Sequence, residues 1–206
     1  MILYSHPFNN RKEKTCITKN TQILILGSFP THEVLCKKSP LNYFYGSKKN
    51  KFWELLEKSS IINKINENSI IETFEIKKIG IIDIINKCYR KNDESSLDID
   101  LSIVEFFNIQ KLLFEFTNIS VILTTSNIVR DLLFKNQLNA LRAGKIEIVT
   151  LNNIRFEKIS LFNRDILIKN LPSPSMRNTM KEDVKMKEYG IIFNEAFNYI
   201  QSRHLA

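Results

Sequence analysis

The segment 41–53 carries the residue types best suited to holding a nucleic acid base. It reads LNYFYGSKKNKFW and combines aromatic rings, three lysines and two asparagines. Aromatic faces stack on bases, lysines meet phosphates, and an amide reads a base edge or positions a water molecule. The alternative for such aromatics is a place in the core, and we accept it for Phe52 and Trp53, which begin a helical pattern. For Tyr45 we favour a ligand role, because Gly46 beside it would let a ligand approach the backbone.

Two short loops rich in serine and proline follow apolar runs directly. GSFP at 27–30 comes after the run 21–26, and PSPS at 172–175 comes after the run 166–171. In open parallel sheets, ligands bind beyond the carboxyl ends of the strands. We therefore expect both loops to lie at one edge of a sheet.

A single acid, Asp83, is embedded in the apolar run IGIIDII at 79–85. An acid in such surroundings is a candidate catalytic group. The alternative is a structural carboxylate whose hydrogen bonds are all satisfied. The sequence leaves both open.

Several familiar constellations are missing from the chain. There is no GxGxxG or Walker sequence, and five glycines leave little material for a phosphate-cradling loop. The three histidines are far apart and lack an HExxH or triad context. The three cysteines show neither a CxxC pair nor a nearby pair of histidines, so we expect neither a metal site nor a disulfide framework.

Apolar runs that alternate with helical patterns predict an α/β fold. We expect one domain over 1–206, with three α/β/α layers around a central, mainly parallel sheet of four to five strands, and with 1–20 as an extended arm. The acidic stretch 92–100 is interpreted as a surface loop. The predicted strands are 21–26, 79–85, 120–124, 146–151, 155–161 and 166–171. The predicted helices are 51–59, 70–77, 103–116, 128–134 (capped by Ser126 or Asn127) and 180–202.

The charge balance favours a polyanionic partner. The formal net charge is +8, and a basic surface binds nucleic acid by neutralising phosphates and releasing counterions. A lysine-rich proteome would produce the same balance without such a partner. No apolar run approaches the length of a membrane span and the first residues are polar, so we expect a soluble, cytoplasmic protein.

Three motifs in order resemble one known family. They are ILILGSFPT at 23–31, YFYGSKKNKFW at 43–53 and LPSPS at 171–175. Together they resemble the uracil-DNA glycosylase superfamily, and most closely its hypoxanthine (deoxyinosine) and mismatch-specific uracil-DNA glycosylase branch. Shorter stretches that also look like that branch are HPF at 6–8, GIIDII at 80–85 and SSLD at 95–98.

The resemblance implies a monofunctional DNA glycosylase of base-excision repair. Such an enzyme extrudes a deaminated base, uracil or hypoxanthine, from DNA and hydrolyses its N-glycosidic bond. It implies a monomer that acts on DNA containing a deaminated or mismatched base, with no cofactor.

Matched residue by residue, the resemblance assigns three groups of site residues. Asn50 is the catalytic candidate that positions water or reads the base, beside Asp83 from the apolar run. The base-binding residues would be Gly27, Ser28, Phe29, Pro30 and Tyr45. The DNA-binding residues would be Lys48, Lys49, Ser173, Pro174, Ser175 and Arg177, with Met176 or Arg177 bordering the vacated stack.

The chain departs from the superfamily pattern at three places. Phe29 stands where many members have an Asp or Asn that activates water, Thr31 replaces a small residue, and Pro174 alters the usual L-P-S-T-S. These departures leave the preferred base open. They also keep two rivals open, a nucleic-acid-binding protein of the same fold without activity and a hydrolase of free nucleotides.

Overall fold

The computed structural model of the chain describes residues 2–91, 98–138 and 146–203. The strands are β1 Leu3–Ser5, β2 Ile23–Gly27, β3 Ile79–Asp83, β4 Ile85–Arg90, β5 Leu101–Phe106, β6 Val121–Thr124, β7 Glu147–Leu151, β8 Ile154–Leu161 and β9 Arg164–Asn170. The α-helices are α1 Lys12–Thr15, α2 His32–Leu35, α3 Phe52–Lys58, α4 Glu67–Ile76, α5 Ile109–Glu115, α6 Asn127–Leu132 and α7 Glu182–Arg203. A 3-10 turn spans Asp98–Asp100, and a π-helical segment spans Leu133–Leu138.

The central sheet has six strands in the order β3-β2-β6-β9-β8-β7. The pairs β2–β3, β2–β6 and β6–β9 are parallel, whereas β8 pairs antiparallel with both β7 and β9. The prediction of a mainly parallel sheet is confirmed, but the sheet is larger than the predicted four to five strands. The antiparallel hairpin β7–β8 extends the sheet beyond the predicted size.

Alternate residues of β2 face opposite sides of the sheet, since side chains alternate along a strand. Ile23 and Ile25 belong to one core cluster, with side chains of α3, α4 and α7. Leu24 and Leu26 belong to a second cluster, with side chains of α5 and α6. All four are fully buried, so the run has the continuous apolar pattern of a parallel strand covered on both faces.

A second sheet, with the order β1-β4-β5, packs on one side of the molecule. Its strands are antiparallel, and Cys88 of β4 and Ile103 of β5 pack into the second core cluster. One face of the central sheet is therefore covered by helices together with this small sheet. The covering differs in this respect from the purely helical layer that we expected.

The N-terminal residues are part of the folded body and not the extended arm that we predicted. They form β1 and α1, and Phe8 is 2% exposed. Asn9 is 5% exposed, and its side chain accepts from the Asp83 N–H at 3.0 Å and donates to the Asp83 carbonyl at 2.9 Å. Because β3 is an edge strand, the amide of Asn9 takes the place of a further strand there.

The helix predicted over 103–116 is wrong in its first half. β5 occupies Leu101–Phe106, and α5 begins only at Ile109, after its cap Asn108. The apolar residues at 103, 106 and 109 have helical spacing, but pairing with β4 overrides that local pattern. Ser126 caps α6 by accepting from the Val129 N–H, which confirms the predicted cap.

Among the described residues, no helix combines the length and apolar character that a membrane span requires.

We predict that Asn9→Ala destabilises the protein by about 1–3 kcal/mol, because it leaves a buried N–H and a buried carbonyl of β3 unpaired. Asn10→Ala is the matched control, since Asn10 is exposed and such changes stay within about 0.5 kcal/mol. Urea unfolding midpoints measure both. Equal midpoints for the two variants would show that the Asn9 side chain does not stabilise the edge of β3.

Candidate functional site

A cavity of about 110 Å³ opens at the carboxyl edge of the parallel strands. Its wall comes from the segments that follow β2, β6 and β9, from the end of β3, and from the loop before α3. The lining residues are Ser28, Phe29, Pro30, Thr31, Val34, Tyr45, Ser47, Lys49, Asn50, Asp83, Asp98, Thr125, Ser126, Ser173, Pro174 and Ser175. The two loops and the aromatic segment singled out from the sequence thus converge on one cavity.

Gly27 lies beneath this cavity, where the backbones of β2 and β3 run side by side. Gly27 pairs in register with Asp83. A Cβ on Gly27 would stand 2.0 Å from the Tyr45 hydroxyl oxygen and 2.1 Å from Asp83 Oδ1. Real Cβ atoms do not come this close to other heavy atoms, so only glycine lets these two oxygens meet above the strand end.

Asp83 is 5% exposed and lines the cavity. Its Oδ2 lies 2.9 Å from His6 Nε2. The other ring nitrogen, Nδ1, accepts from the backbone N–H groups of Phe8 at 3.1 Å and Asn9 at 2.9 Å. Because Nδ1 is an acceptor, the ring proton is on Nε2 and is donated to the carboxylate. This contact joins residues 77 positions apart, and nothing in the histidine spacing indicated it.

Tyr45 is held in a left-handed backbone conformation with φ of 54°. Its ring packs on Phe52 with centroids 4.3 Å apart, and its hydroxyl lies 3.0 Å from Thr125 Oγ1. Burial and the nearby charge of Asp83 raise the pKa of this phenol well above its ordinary value, so the hydroxyl keeps its proton. A strained residue held in this way is typical of a functional site.

Glycine is needed at position 46 for a reason other than the approach of a ligand that we expected. A Cβ at this position would lie 1.7 Å from the Leu41 carbonyl oxygen. The group that comes close to Gly46 is therefore the chain's own Leu41 carbonyl and not a ligand.

Asn50 is half-buried in the cavity wall. Its Oδ1 accepts from the Phe52 N–H at 2.9 Å, at the start of α3. With the oxygen engaged by the helix, the amide presents its NH₂ group as the free hydrogen-bonding partner.

The loop after β9 is tied to the segment around Asn50 by backbone hydrogen bonds. The Lys51 N–H donates to the Pro174 carbonyl at 2.9 Å, and the Met176 N–H donates to the Lys49 carbonyl at 3.2 Å. An isolated antiparallel bridge pairs Asn50 with Ser175. These contacts hold two segments of the wall, far apart in sequence, in one register.

Two side chains of α7 support the same loop from below. Lys185 is 5% exposed, and its Nζ donates to the carbonyls of Ser175 and Asn178, both at 3.3 Å. Burial lowers the pKa of this lysine. The Tyr189 hydroxyl donates to the Pro172 carbonyl at 3.0 Å. Neither residue was singled out from the sequence, because on a helix pattern both read as ordinary positions.

Asp98 is a cavity residue that the sequence placed in a surface loop. Residues 92–97 of that loop lie outside the described residues, but Asp98 itself faces the cavity and hydrogen-bonds to Ser28. Burial raises its pKa, and the charge of Asp83 adds to the effect. The one indication in the sequence that Asp98 belongs to the site was its place in the motif SSLD at 95–98.

Thr31 contributes a buried hydroxyl to the cavity wall. Among the described residues its Oγ1 has no hydrogen-bond partner. Unpaired buried polar atoms are rare in folded proteins, and one facing a cavity is suited to contact a polar ligand.

Four of the sequence candidates are not among the residues that line the cavity, and one of them, Gly27, lies beneath it. Lys48 and Arg177 are exposed on segments next to lining residues, and Met176 is 60% exposed. They occupy the surface around the cavity mouth. Within the described ranges, no cluster of three or more His, Cys, Asp or Glu side chains is arranged to hold a metal ion.

Comparison with known proteins places the fold. No protein-family model matches the chain, and no curated protein matches its sequence. A solved structure does match: a chain from Methanosarcina acetivorans, determined by NMR in solution and provisionally described as a uracil DNA glycosylase. The TM-score is 0.61 at 20% identity, and the match covers 95% of this chain and 99% of that chain. At this identity the likeness shows a shared fold.

We predict that Gly27→Ala destabilises the protein by about 1–3 kcal/mol, because its methyl group would overlap the Tyr45 hydroxyl and the Asp83 carboxylate. Gly190→Ala in α7 is the matched control. There the nearest atom to a new Cβ is Ser59 Cβ at 3.9 Å, and alanine stabilises a helix by about 1 kcal/mol relative to glycine. Thermal unfolding should give a lower melting temperature for Gly27→Ala and a higher one for Gly190→Ala. A stabilised Gly27→Ala variant would refute the close approach of the two oxygen atoms to Gly27.

Proposed function

We propose that this chain is a monofunctional DNA glycosylase that hydrolyses the N-glycosidic bond of a deaminated base, uracil or hypoxanthine, flipped out of DNA. One observation carries the proposal. A cavity on the scale of a single base lies at the carboxyl edge of the sheet, and a carboxylate and an amide share its wall. The shared fold with a protein described as a uracil DNA glycosylase supports it.

The size of the cavity is on the scale of a base and too small for a whole nucleotide. An apolar cavity of about 150 Å³ accepts benzene, and this one measures about 110 Å³. A flipped base would enter while its sugar and phosphates stay at the mouth. The cost of unstacking, a few kcal/mol, would be offset by contacts with the rings of Phe29 and Tyr45 and with flanking phosphates.

Asn50 is suited to recognise what deamination creates. Cytosine and adenine carry an amino donor that deamination replaces with a carbonyl acceptor. Because Oδ1 of Asn50 is engaged by the Phe52 N–H, its NH₂ group faces a ligand as a donor. A donor pairs with uracil or hypoxanthine and opposes the amino group of the parent base. Of the two roles open from the sequence, this favours reading the base.

Asp83 is then the group that assists the chemistry. Glycosidic cleavage passes through a sugar with oxocarbenium character, and a fixed carboxylate stabilises that positive charge or orients the attacking water. Asp83 Oδ1 lies over Gly27 beside the Tyr45 hydroxyl, in the cavity wall. Asp83 would thus provide the polar group that many members of the superfamily carry at the position held here by Phe29. Water is the only co-reactant, so no cofactor takes part.

DNA would be held around the cavity mouth. Lys48, Lys49 and Arg177 carry positive charge there, and the serines of the loop after β9 offer hydroxyl groups to the flanking phosphates. The net charge of +8 favours such a polyanion.

We predict base release from oligonucleotides that contain one uracil or hypoxanthine, detected as alkali-labile abasic sites, with a xanthine oligonucleotide assayed beside them. Asn50→Asp should lower the single-turnover rate by roughly 10²–10³-fold, because it removes a donor and opposes the base carbonyl with a negative charge. Asp83→Asn should lower the rate with DNA affinity preserved. Asn10→Ala, which changes an exposed residue, is the control.

Three results would contradict this proposal in different ways. Salt-sensitive binding without base release identifies a binding protein of the same fold. Release from free nucleotides but not from DNA identifies a hydrolase of free nucleotides. A covalent adduct trapped by borohydride excludes the monofunctional reaction, and its loss in Lys49→Ala identifies Lys49, which lines the cavity, as the nucleophile.

We predict further that Lys49→Ala and Arg177→Ala each weaken DNA binding and reduce the slope of log affinity against log salt by about 1, because each removes one phosphate contact. Lys111→Ala is the control. Lys111 is an exposed residue of α5, which packs on the face of the sheet opposite to α3. Fluorescence anisotropy at several salt concentrations measures the slopes. Equal slopes for all three variants would remove these side chains from the DNA interface.

A further inference from the structure

We propose that His6 is a positioning residue, which holds the Asp83 carboxylate in one orientation at the cavity and so makes the N-terminal segment part of the catalytic apparatus. The inference rests on the proposed function and deepens it. Its starting point is the hydrogen-bond chain from the backbone N–H groups of Phe8 and Asn9, through the imidazole, to Asp83.

The imidazole has no freedom to turn. Its side chain is fully buried. Phe8 and Phe29 contact it edge-on at centroid distances of 5.9 and 5.5 Å, and Phe44 packs against it at 5.4 Å. The two backbone N–H groups fix its proton on Nε2, so the ring offers Asp83 one donor in one direction.

The strand and the carboxylate are held by different residues. Asn9 binds the backbone N–H and carbonyl of Asp83, whereas His6 binds only the side-chain oxygen Oδ2. The imidazole makes no hydrogen bond of its own to the β3 backbone, although its Nδ1 accepts from the Asn9 N–H. What His6 determines is where the carboxylate points, and thereby which face Oδ1 presents to the cavity.

His6 acts through Asp83 and not on the substrate. The imidazole is not among the residues lining the cavity in the described ranges, and its Nδ1 is occupied. A proton-transfer role for His6 is inconsistent with this arrangement. A group that orients a reactive side chain from behind typically contributes about 10- to 100-fold, as the partners of metal ligands do.

The test compares His6→Met, which removes the donor, with His6→Gln, which keeps a donor at similar reach. We expect His6→Met to lower the single-turnover rate of base release about 10- to 100-fold with DNA affinity unchanged, and His6→Gln to recover most of that loss. In an Asp83→Asn background, His6→Met should add little further loss, because its effect passes through the carboxylate. Urea midpoints identify any variant that is simply unfolded.

Multiplicative losses in the double variant, or a loss confined to stability and DNA affinity, would overturn the proposal and leave His6 a core residue. A second readout does not need activity. Long-range ¹H–¹⁵N spectra of the native protein should show His6 with its proton on Nε2, protected from solvent exchange, and Asp83→Ala should abolish that protection. If the native protein releases no base yet gives this spectrum, the proposed function fails while the His6–Asp83 coupling stands. A proton on Nδ1 refutes the coupling itself.

Discussion

The site depends on the close approach of two parallel strands at Gly27 and Asp83. Their register places a residue without a side chain next to an acid, and the Tyr45 hydroxyl fills the space that a Cβ would take. Thr125, from the end of the next strand, holds that hydroxyl in turn. Four segments of the chain thus meet above one glycine. Any larger residue there would separate the oxygen atoms that give the cavity floor its chemistry.

A second constraint follows from burying a carboxylate in this place. Removing a charged group from water costs several kcal/mol unless hydrogen bonds replace the lost hydration. His6 supplies one such bond to Asp83. The segment before β2 therefore does more than cover the sheet, because it satisfies both the edge of β3 and the acid at its end. A chain lacking this segment would expose the edge strand and leave the carboxylate without its donor.

The sequence predicted the parts of the site that follow local rules. Ser28 and Ser173 come directly after apolar strands, and the carboxyl ends of parallel strands share one edge, so their meeting was foreseeable. The partners of Asp83 were not, because His6 is 77 residues away and reads as part of a polar arm. Asp98 was interpreted as surface because its neighbours are acidic. Local patterns predict elements and their order, whereas contacts between distant segments depend on packing that one sequence does not display.

The charge inside the cavity is opposite to the charge of the whole protein. The chain is basic, with a net charge of +8, yet the cavity is lined by two acids, Asp83 and Asp98, against one lysine, Lys49. Such a distribution draws a polyanion to the surface but opposes the entry of a phosphate into the pocket. An uncharged ring meets no such barrier, and in the proposed reaction a sugar that becomes positive at the mouth would be stabilised by these acids. The same acids would oppose a base that departs as an anion, so Lys49, the Asn50 amide and the unpaired hydroxyl of Thr31 are the lining groups suited to offset that charge. The arrangement favours assistance at the sugar over assistance at the leaving group, which is why the orientation of Asp83 matters most.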